Sequence, residues 1–163
     1  MEITTKLVKQ LRDKTGVSVM QCQKALVETG GDIEKAITLL AEKSAEIARK
    51  KGDRTLGAGV IASYIHATGT VGTMVELLCE TDFVAKNEDF MKLARDIAMH
   101  ATATNPRFLK ALDMTDLGKV EDVLLDQPFI KNPEMTITNL IQQATQKFGE
   151  KIELNRFVRY SIS

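Results

Sequence analysis

The sequence predicts an α+β protein, in which an N-terminal three-helix bundle precedes a small three-stranded antiparallel sheet packed with helices. Three observations support this fold class. Apolar residues recur at helical spacing up to residue 43, the next stretch is Ala-rich and basic, and strand-like alternation begins after Gly57 and Gly59. These changes predict a helical domain at 1–43, a helical and basic linker at 44–55, and an α+β core at 56–163.

Capping and stop signals bound the three helices of the first domain. The first helix ends at Thr15-Gly16, and Ser18 with Gln21 forms a capping-box pattern that begins the second. The second helix ends at Gly30-Gly31, and Asp32 caps the third. Three helices of this length predict a compact bundle near the lower size limit for independent folding.

The core begins with a predicted β-hairpin. A strand at 60–66 carries apolar residues on both faces, which predicts a central position in the sheet. A tight turn at 68–70 joins it to a second strand at 71–79. The two strands should therefore pair antiparallel.

The remainder of the core predicts two helices and a third strand. Asn87 is predicted to cap one helix, and Thr136 begins another. The segment between them is weakly patterned at 107–126, which predicts a loop and one short helix. The chain closes with alternation that predicts a strand with one apolar face, interrupted by Arg156. The residues assigned to that face are Ile152, Leu154, Val158, Tyr160 and Ile162.

Charge and hydropathy argue against two classes of partner. Lys plus Arg and Asp plus Glu both number 22, so the formal net charge is zero. Nucleic-acid binding depends on an excess of Lys and Arg, so direct nucleic-acid binding is not expected. The apolar runs are far shorter than the ~20 residues that cross a bilayer, and the N-terminus does not resemble a signal peptide. We expect a soluble, cytoplasmic protein with no membrane partner.

The cysteines and histidines do not form a pattern typical of a catalytic or metal site. Cys22 and Cys79 lie within apolar-periodic segments, which favours buried free thiols over a disulfide or a catalytic pair. No metal-ligand spacing links them to His66 or His100. There is no Gly-rich phosphate loop or catalytic motif, so we expect neither a cofactor nor enzymatic activity.

One stretch does not follow the logic of core formation. Phe83 and Val84 are apolar residues in a polar connection between a strand and a helix. In one interpretation Asp82 caps a turn and Phe83 packs beneath the hairpin as a hydrophobic staple. In the other, Phe83 is an exposed aromatic anchor beside a carboxylate, a common form of interface hot spot.

This stretch resembles a known family. Residues 81–87, which read TDFVAKN, resemble the signature segment of elongation factor Ts, and the three-helix start resembles that family's ubiquitin-associated-like domain. The motif at 97–100 followed by Pro106, and then Gln127-Pro128-Phe129, stand in the family's order. The matches run over nearly the whole chain.

The resemblance implies a function in translation elongation. It implies a guanine nucleotide exchange factor, not an enzyme, that promotes GDP release from elongation factor Tu by inserting Asp82 and Phe83 near its magnesium and nucleotide site. The positions that the resemblance assigns to contacts with elongation factor Tu are Thr81, Asp82, Phe83, Val84, Asn87, His66, Phe148, Gly149 and Lys24.

Several of these positions also have structural interpretations. His66 could be an ordinary histidine near a turn, Phe148 a core residue and Gly149 a helix stop. His100 falls on the apolar side of its helix, which favours a structural role. A binding module without exchange activity is the alternative function.

The chain departs from the family pattern in three places. Gln23 stands where the family often has a first lysine before Lys24, and the segment after Pro106 is shorter than in many members. Larger members have two related core halves, whereas this chain has one. The resemblance to short members implies a homodimer and a two-to-two complex with elongation factor Tu.

Overall fold

The computed structural model describes residues 2–115 and 117–162, and these confirm the predicted α+β class. The helices in these ranges are α1 (Thr5–Thr15), α2 (Val19–Glu28), α3 (Ile33–Lys50), α4 (Asp82–Ala85), α5 (Glu88–Thr104) and α6 (Ile137–Phe148). The strands are β1 (Ala58–Ile65), β2 (Val71–Cys79), β3 (Pro128–Phe129), β4 (Asn132–Thr136) and β5 (Glu153–Ser161). None of the described helices is both long enough and apolar enough to cross a membrane.

Contacts divide the chain into two compact units. The first comprises the residues up to Asp53 together with Gln142–Glu150, and the second comprises Arg54–Ile141 and the residues from Lys151 onward. Helix α6 contributes residues to both. The domain boundaries of the sequence analysis, at 43 and 55, stay predictions.

The first unit contains the predicted three-helix bundle. The hydroxyl of Ser18 accepts the backbone N–H of Gln21 at 3.3 Å, and the carboxylate of Asp32 accepts that of Lys35 at 3.1 Å, so both predicted caps are confirmed. Gly16 ends α1 in the left-handed conformation, with φ of 69°. The buried core consists of Val8, Leu11, Val17, Cys22, Ala25, Leu26, Ala36 and Leu40.

Helix α3 continues well beyond the predicted bundle, through Lys50. Its later turns contact the end of α6 within the first unit. Ser44 is buried and its hydroxyl donates to the side-chain oxygen of Gln146, while the ammonium of Lys51 donates to the carbonyl of Gly149 at 2.9 Å. The basic stretch after residue 43 is therefore helical up to Lys50.

The second unit is built on an antiparallel sheet with the order β1-β2-β5. The predicted hairpin is confirmed, with Ala58 opposite Cys79 and Ile65 opposite Gly72. The predicted central position of the first strand is wrong, because β2 lies between β1 and β5. Strand β1 is an edge strand that carries apolar residues on both faces.

Helix α5 covers one face of this sheet. Phe90, Ala94 and Ile97 of the helix are fully buried, as are Val75 and Leu77 of β2. Burial of such side chains contributes roughly 1.5–3 kcal/mol for each large one, so this layer is the main core of the second unit.

A β-bulge changes the facing of β5. Glu76 lies opposite Arg156, but Leu77 lies opposite Leu154, so Asn155 has no counterpart on β2. The prediction of one apolar face was wrong beyond this point. Leu154 faces α5, whereas Val158, Tyr160 and Ile162 belong to the other side of the sheet or extend beyond its end, where they are exposed.

The segment between α5 and α6 contains more structure than predicted. It has single 3-10 turns at Ala111–Asp113, Val120–Asp122 and Leu124–Asp126, followed by the short hairpin of β3 and β4. The sequence predicts a loop and one short helix at 107–126, and the hairpin that follows was not predicted.

His100 holds this segment to α5. It is fully buried, its Nδ1 accepts the backbone N–H of Ile130 at 3.3 Å, and its Nε2 therefore donates to the side-chain oxygen of Gln127 at 2.9 Å. The amide of Gln127 donates in turn to the carbonyl of Glu121 at 2.8 Å. Burial lowers the pKa of His100, with the hydrogen bond to Gln127 acting in the opposite direction. The predicted structural role of His100 is confirmed.

We predict that acid destabilises this unit through His100. The folded state binds fewer protons than the unfolded state, so stability is complete above the unfolded pKa of about 6.5 and is lost as the pH falls through the lowered folded pKa. The slope should approach, at most, about 1.4 kcal/mol per pH unit. Denaturant unfolding at pH 7 and at a series of pH values below the unfolded pKa of about 6.5 measures this slope.

Removal of the buried imidazole tests this assignment. His100→Gln should flatten the wild-type pH dependence, because the glutamine side chain does not take up a proton. Equal slopes in the wild type and in His100→Gln would contradict the assignment.

Candidate partner-binding site

The connection between β2 and α5 is a single helical turn that is fixed at both ends. The hydroxyl of Thr81 accepts the backbone N–H of Val84 at 3.4 Å and caps α4. The side chain of Asn87 accepts the backbone N–H of Asp89 at 2.8 Å and caps α5, as predicted. These caps are short-range contacts that the local sequence dictates.

The side chains of this turn divide sharply between interior and solvent. Phe83 is 86% exposed, whereas Val84 is 5% exposed and Ala85 is 6% exposed. The hydrophobic-staple interpretation of Phe83 is therefore wrong, because the ring does not pack beneath the hairpin. Val84 and Ala85 anchor the turn, and the side chain of Val84 has little surface to offer a partner.

Two carboxylates lie at the start of this turn, and they differ in exposure and in contacts. Asp82 is exposed, and within residues 2–115 and 117–162 its side chain has neither an ion pair nor a hydrogen bond. Glu80 is only 16% exposed at its side chain, and its Oε2 accepts the backbone N–H of Lys151 at 3.1 Å and lies 3.5 Å from a guanidinium nitrogen of Arg54. Asp82 is therefore available to a partner, whereas Glu80 is engaged within the unit.

His66 does not join this turn within one chain. It is exposed at the far end of β1, where the hydroxyl of Tyr64 lies 3.3 Å from its Nδ1 and its backbone N–H donates to the carbonyl of Val71. The register of the hairpin places Phe83 at the opposite end. An eight-residue strand spans about 25 Å, so the two residues cannot reach the same small surface patch.

Three other predicted positions belong to the first unit. Lys24 is exposed and, with Arg12 and Lys147, contributes positive charge to a cleft of about 590 Å³, to which no acidic side chain of residues 2–115 and 117–162 contributes. Phe148 is half-buried, and Gly149 ends α6 with φ of 69°, so its predicted helix-stop role is confirmed. The ammonium of Lys147 lies 5.4 Å from the centre of the Phe148 ring.

An apolar surface that was not predicted from the sequence lies on the side of the sheet away from α5. We call it the open face, and its exposed apolar residues are Ile61, Ile65, Met74, Val158, Tyr160 and Ile162. The sequence signal for this surface is the set of apolar residues on both faces of the first strand, a pattern that predicts a central strand.

The described residues offer no metal centre. No group of three or more His, Cys, Asp or Glu side chains is arranged to hold an ion in the ranges 2–115 and 117–162. Cys22 and Cys79 are buried and are not joined in a disulfide, as predicted, and burial raises the pKa of Cys22. The chemistry available at the Phe83 turn is binding by an apolar ring and a free carboxylate.

Comparison with known proteins assigns the chain to a family. The family model described as "Elongation factor TS" matches residues 1–119. Proteins named elongation factor Ts are 41% identical in Desulforamulus reducens, 42% in Thermodesulfovibrio yellowstonii and 40% in Desulfotalea psychrophila. Each alignment covers 99% of this chain, and it covers 89%, 97% and 99% of these relatives respectively.

The alignments run over 194 or 195 positions, more than the 163 residues of this chain, so the relatives carry residues that it lacks. Even so, the match extends over nearly the full length on both sides. The chain belongs to the elongation factor Ts family of translation elongation factors.

Proposed function

We propose that this protein is a guanine nucleotide exchange factor that promotes GDP release from elongation factor Tu by inserting Asp82 and Phe83 near the magnesium and nucleotide site of the GTPase. The observation that carries the proposal is the exposure of the Phe83 ring on a turn whose neighbouring residues are buried. An exposed ring on a rigid support is the form expected of an interface anchor. The proposed place of action is the cytoplasm, where elongation takes place.

Exchange requires differential binding, and this limits what Phe83 can do alone. By linkage, a factor that lowers nucleotide affinity is bound less tightly, by the same ratio, when nucleotide is present. A thousandfold effect takes about 4 kcal/mol of coupling, whereas burial of one Phe side chain contributes roughly 1.5–3 kcal/mol. The remainder must come from other contacts that form only in the distorted GTPase.

Asp82 is the best placed source of that remainder. Its carboxylate has no partner of its own among the described residues, so no internal contact is lost when it meets the surroundings of the magnesium ion. Contacts that are equal in both states add affinity but no exchange. We assign Thr81 and Asn87 to holding the turn, and we assign Lys24, His66, Phe148 and Gly149 to outlying contacts with elongation factor Tu.

We further propose that a second copy of the chain covers the open face. Each of the six apolar side chains is at least 39% exposed, and a protein–protein interface is the kind of surface that covers such a patch, burying ~800 Å² on each partner in a standard case. A two-fold interface must be complementary to itself. The open face meets this requirement, because its charged pair, Glu76 with Arg156, has one residue of each sign. A homodimer of this kind would present two Phe83 turns and bind two copies of elongation factor Tu.

The alternative function is a binding module that engages elongation factor Tu without releasing nucleotide. Both functions require an exposed anchor, and they differ in their effect on the nucleotide bound to elongation factor Tu. Release of a fluorescent GDP analogue from elongation factor Tu does, because only an exchange factor accelerates it.

We predict that Phe83→Ala lowers the stimulated release of the GDP analogue roughly tenfold to a hundredfold, in line with the burial energy of one Phe side chain. The variant should fold normally, since an exposed ring contributes little to the core. Leu112→Ala is the matched control, because Leu112 is also an exposed apolar side chain, at 95%, and lies outside the proposed site. Equal losses in both variants, or none in Phe83→Ala, would contradict the proposal.

We predict that Ile65→Lys converts the protein to a monomer. The substitution places a charge within the proposed apolar interface, where its desolvation is not offset. Light scattering on a sizing column should give twice 18.0 kDa for the wild type and 18.0 kDa for the variant. Leu112→Lys should remain dimeric, and a wild type that elutes as a single chain at micromolar concentration would rule out the dimer.

We predict that Lys24→Glu weakens binding to elongation factor Tu about twofold to fivefold, as an exposed charge contact should, without lowering the maximal exchange rate. The effect should fade at high salt. Lys6→Glu serves as the control, because it reverses the charge of another exposed lysine in the first unit. A lower maximal rate in Lys24→Glu would show that the contact belongs to the exchange step instead of to affinity.

A further inference from the structure

We propose that Glu80 is a positioning residue for Phe83, because its carboxylate fixes the base of the turn that presents the ring. The inference rests on the proposed function, in which Phe83 is the group that acts on the partner. It concerns a residue that would not itself touch the partner.

Glu80 extends the junction between β2 and β5 beyond the end of the sheet. The last backbone pair of these strands is Leu78 with Glu153. Two residues further on, the side chain of Glu80 accepts the backbone N–H of Lys151 at 3.1 Å. The carboxylate of Glu80 therefore links β2 to the start of β5 beyond the last backbone pair of the sheet. This link reaches the residue immediately before Thr81.

The same oxygen also engages the segment that leads into β1. Pairing of β1 with β2 ends at Ala58 and Cys79, and Arg54, four residues before Ala58, places a guanidinium nitrogen 3.5 Å from Oε2 of Glu80. Hydrogen bonds to a charged acceptor are stronger than neutral ones. The Glu80 side chain is only 16% exposed and that of Arg54 is 51% exposed, so water screens the hydrogen bond between Glu80 and Lys151 less than it screens a surface pair.

The segments that lead into β1 and β5, the two strands on either side of β2, therefore both contact Glu80 at the base of the turn. Val84 and Ala85 fix its far side by burial, so the ring is held in place before a partner arrives. Preorganisation of this kind removes an ordering cost from the binding step. Loss of the Glu80 contacts would leave the ring present but its position less defined. A smaller fraction of the complexes with elongation factor Tu would then release nucleotide.

A double-mutant cycle with Phe83 tests the inference. The assay is the maximal rate of GDP-analogue release from elongation factor Tu at saturating factor, measured for the wild type, Glu80→Ala, Phe83→Ala and the double variant. Glu80→Ala should lower the rate roughly tenfold, as loss of a hydrogen bond to a charged group does. In the Phe83→Ala background it should have no further effect, because there is no ring left to position.

Two variants separate positioning from a general loss of structure. Glu80→Gln should recover most of the rate, because its amide oxygen can still accept the N–H of Lys151. Glu153→Ala removes a neighbouring carboxylate that pairs with the ammonium of Lys151 at 3.6 Å, and it should leave the rate unchanged. If Glu80→Ala does not fold, Arg54→Ala replaces it in the cycle, with a smaller loss that must likewise vanish in the Phe83→Ala background.

The outcomes distinguish the two claims. An equal fractional loss from Glu80→Ala in both backgrounds would overturn the positioning role while leaving the proposed function intact. No loss from Phe83→Ala itself would overturn the proposed function. A wild-type rate in Glu80→Ala, with Phe83→Ala impaired, would also overturn the positioning role.

Discussion

The burial of Val84 and Ala85 is the interaction on which the rest of the site depends. Their side chains hold a four-residue helix against the sheet and α5, and this leaves Phe83 on the opposite side with 86% of its surface in water. Keeping such a ring exposed forgoes roughly 1.5–3 kcal/mol of burial within the chain. That unused free energy is what a partner can recover, provided that the turn does not collapse onto its own core.

The two faces of the sheet have different surroundings, since one packs against α5 and the other is the exposed open face. Its face toward α5 is the core of the unit, and the bulge at Asn155 directs Val158 and Tyr160 to the open face. The bulge therefore makes the last strand contribute to both faces. One small sheet can in this way support the turn that presents Phe83 and also carry the open face, which we propose a second copy covers.

The sequence predicted the features that depend on neighbouring residues. The caps at Ser18, Asp32 and Asn87 act over two or three positions, and the hairpin turn is equally local, so pattern analysis found them. It could not find the bulge, because the register of β5 is set by β2 and not by alternation. It also missed the contact between Glu80 and Lys151, which joins residues 71 positions apart. The exposure of Phe83 was one of two open interpretations, since only the packing of its neighbours decides between them.

Photocrosslinking from position 83 tests the central claim most directly. A benzoylphenylalanine introduced there should crosslink to the GTPase domain of elongation factor Tu, and excess GDP with magnesium should suppress the product, because nucleotide and the inserted ring exclude one another. The same probe at position 112 should give no such product. A crosslink that is absent at position 83, or one that persists unchanged with saturating GDP and magnesium, would contradict the account.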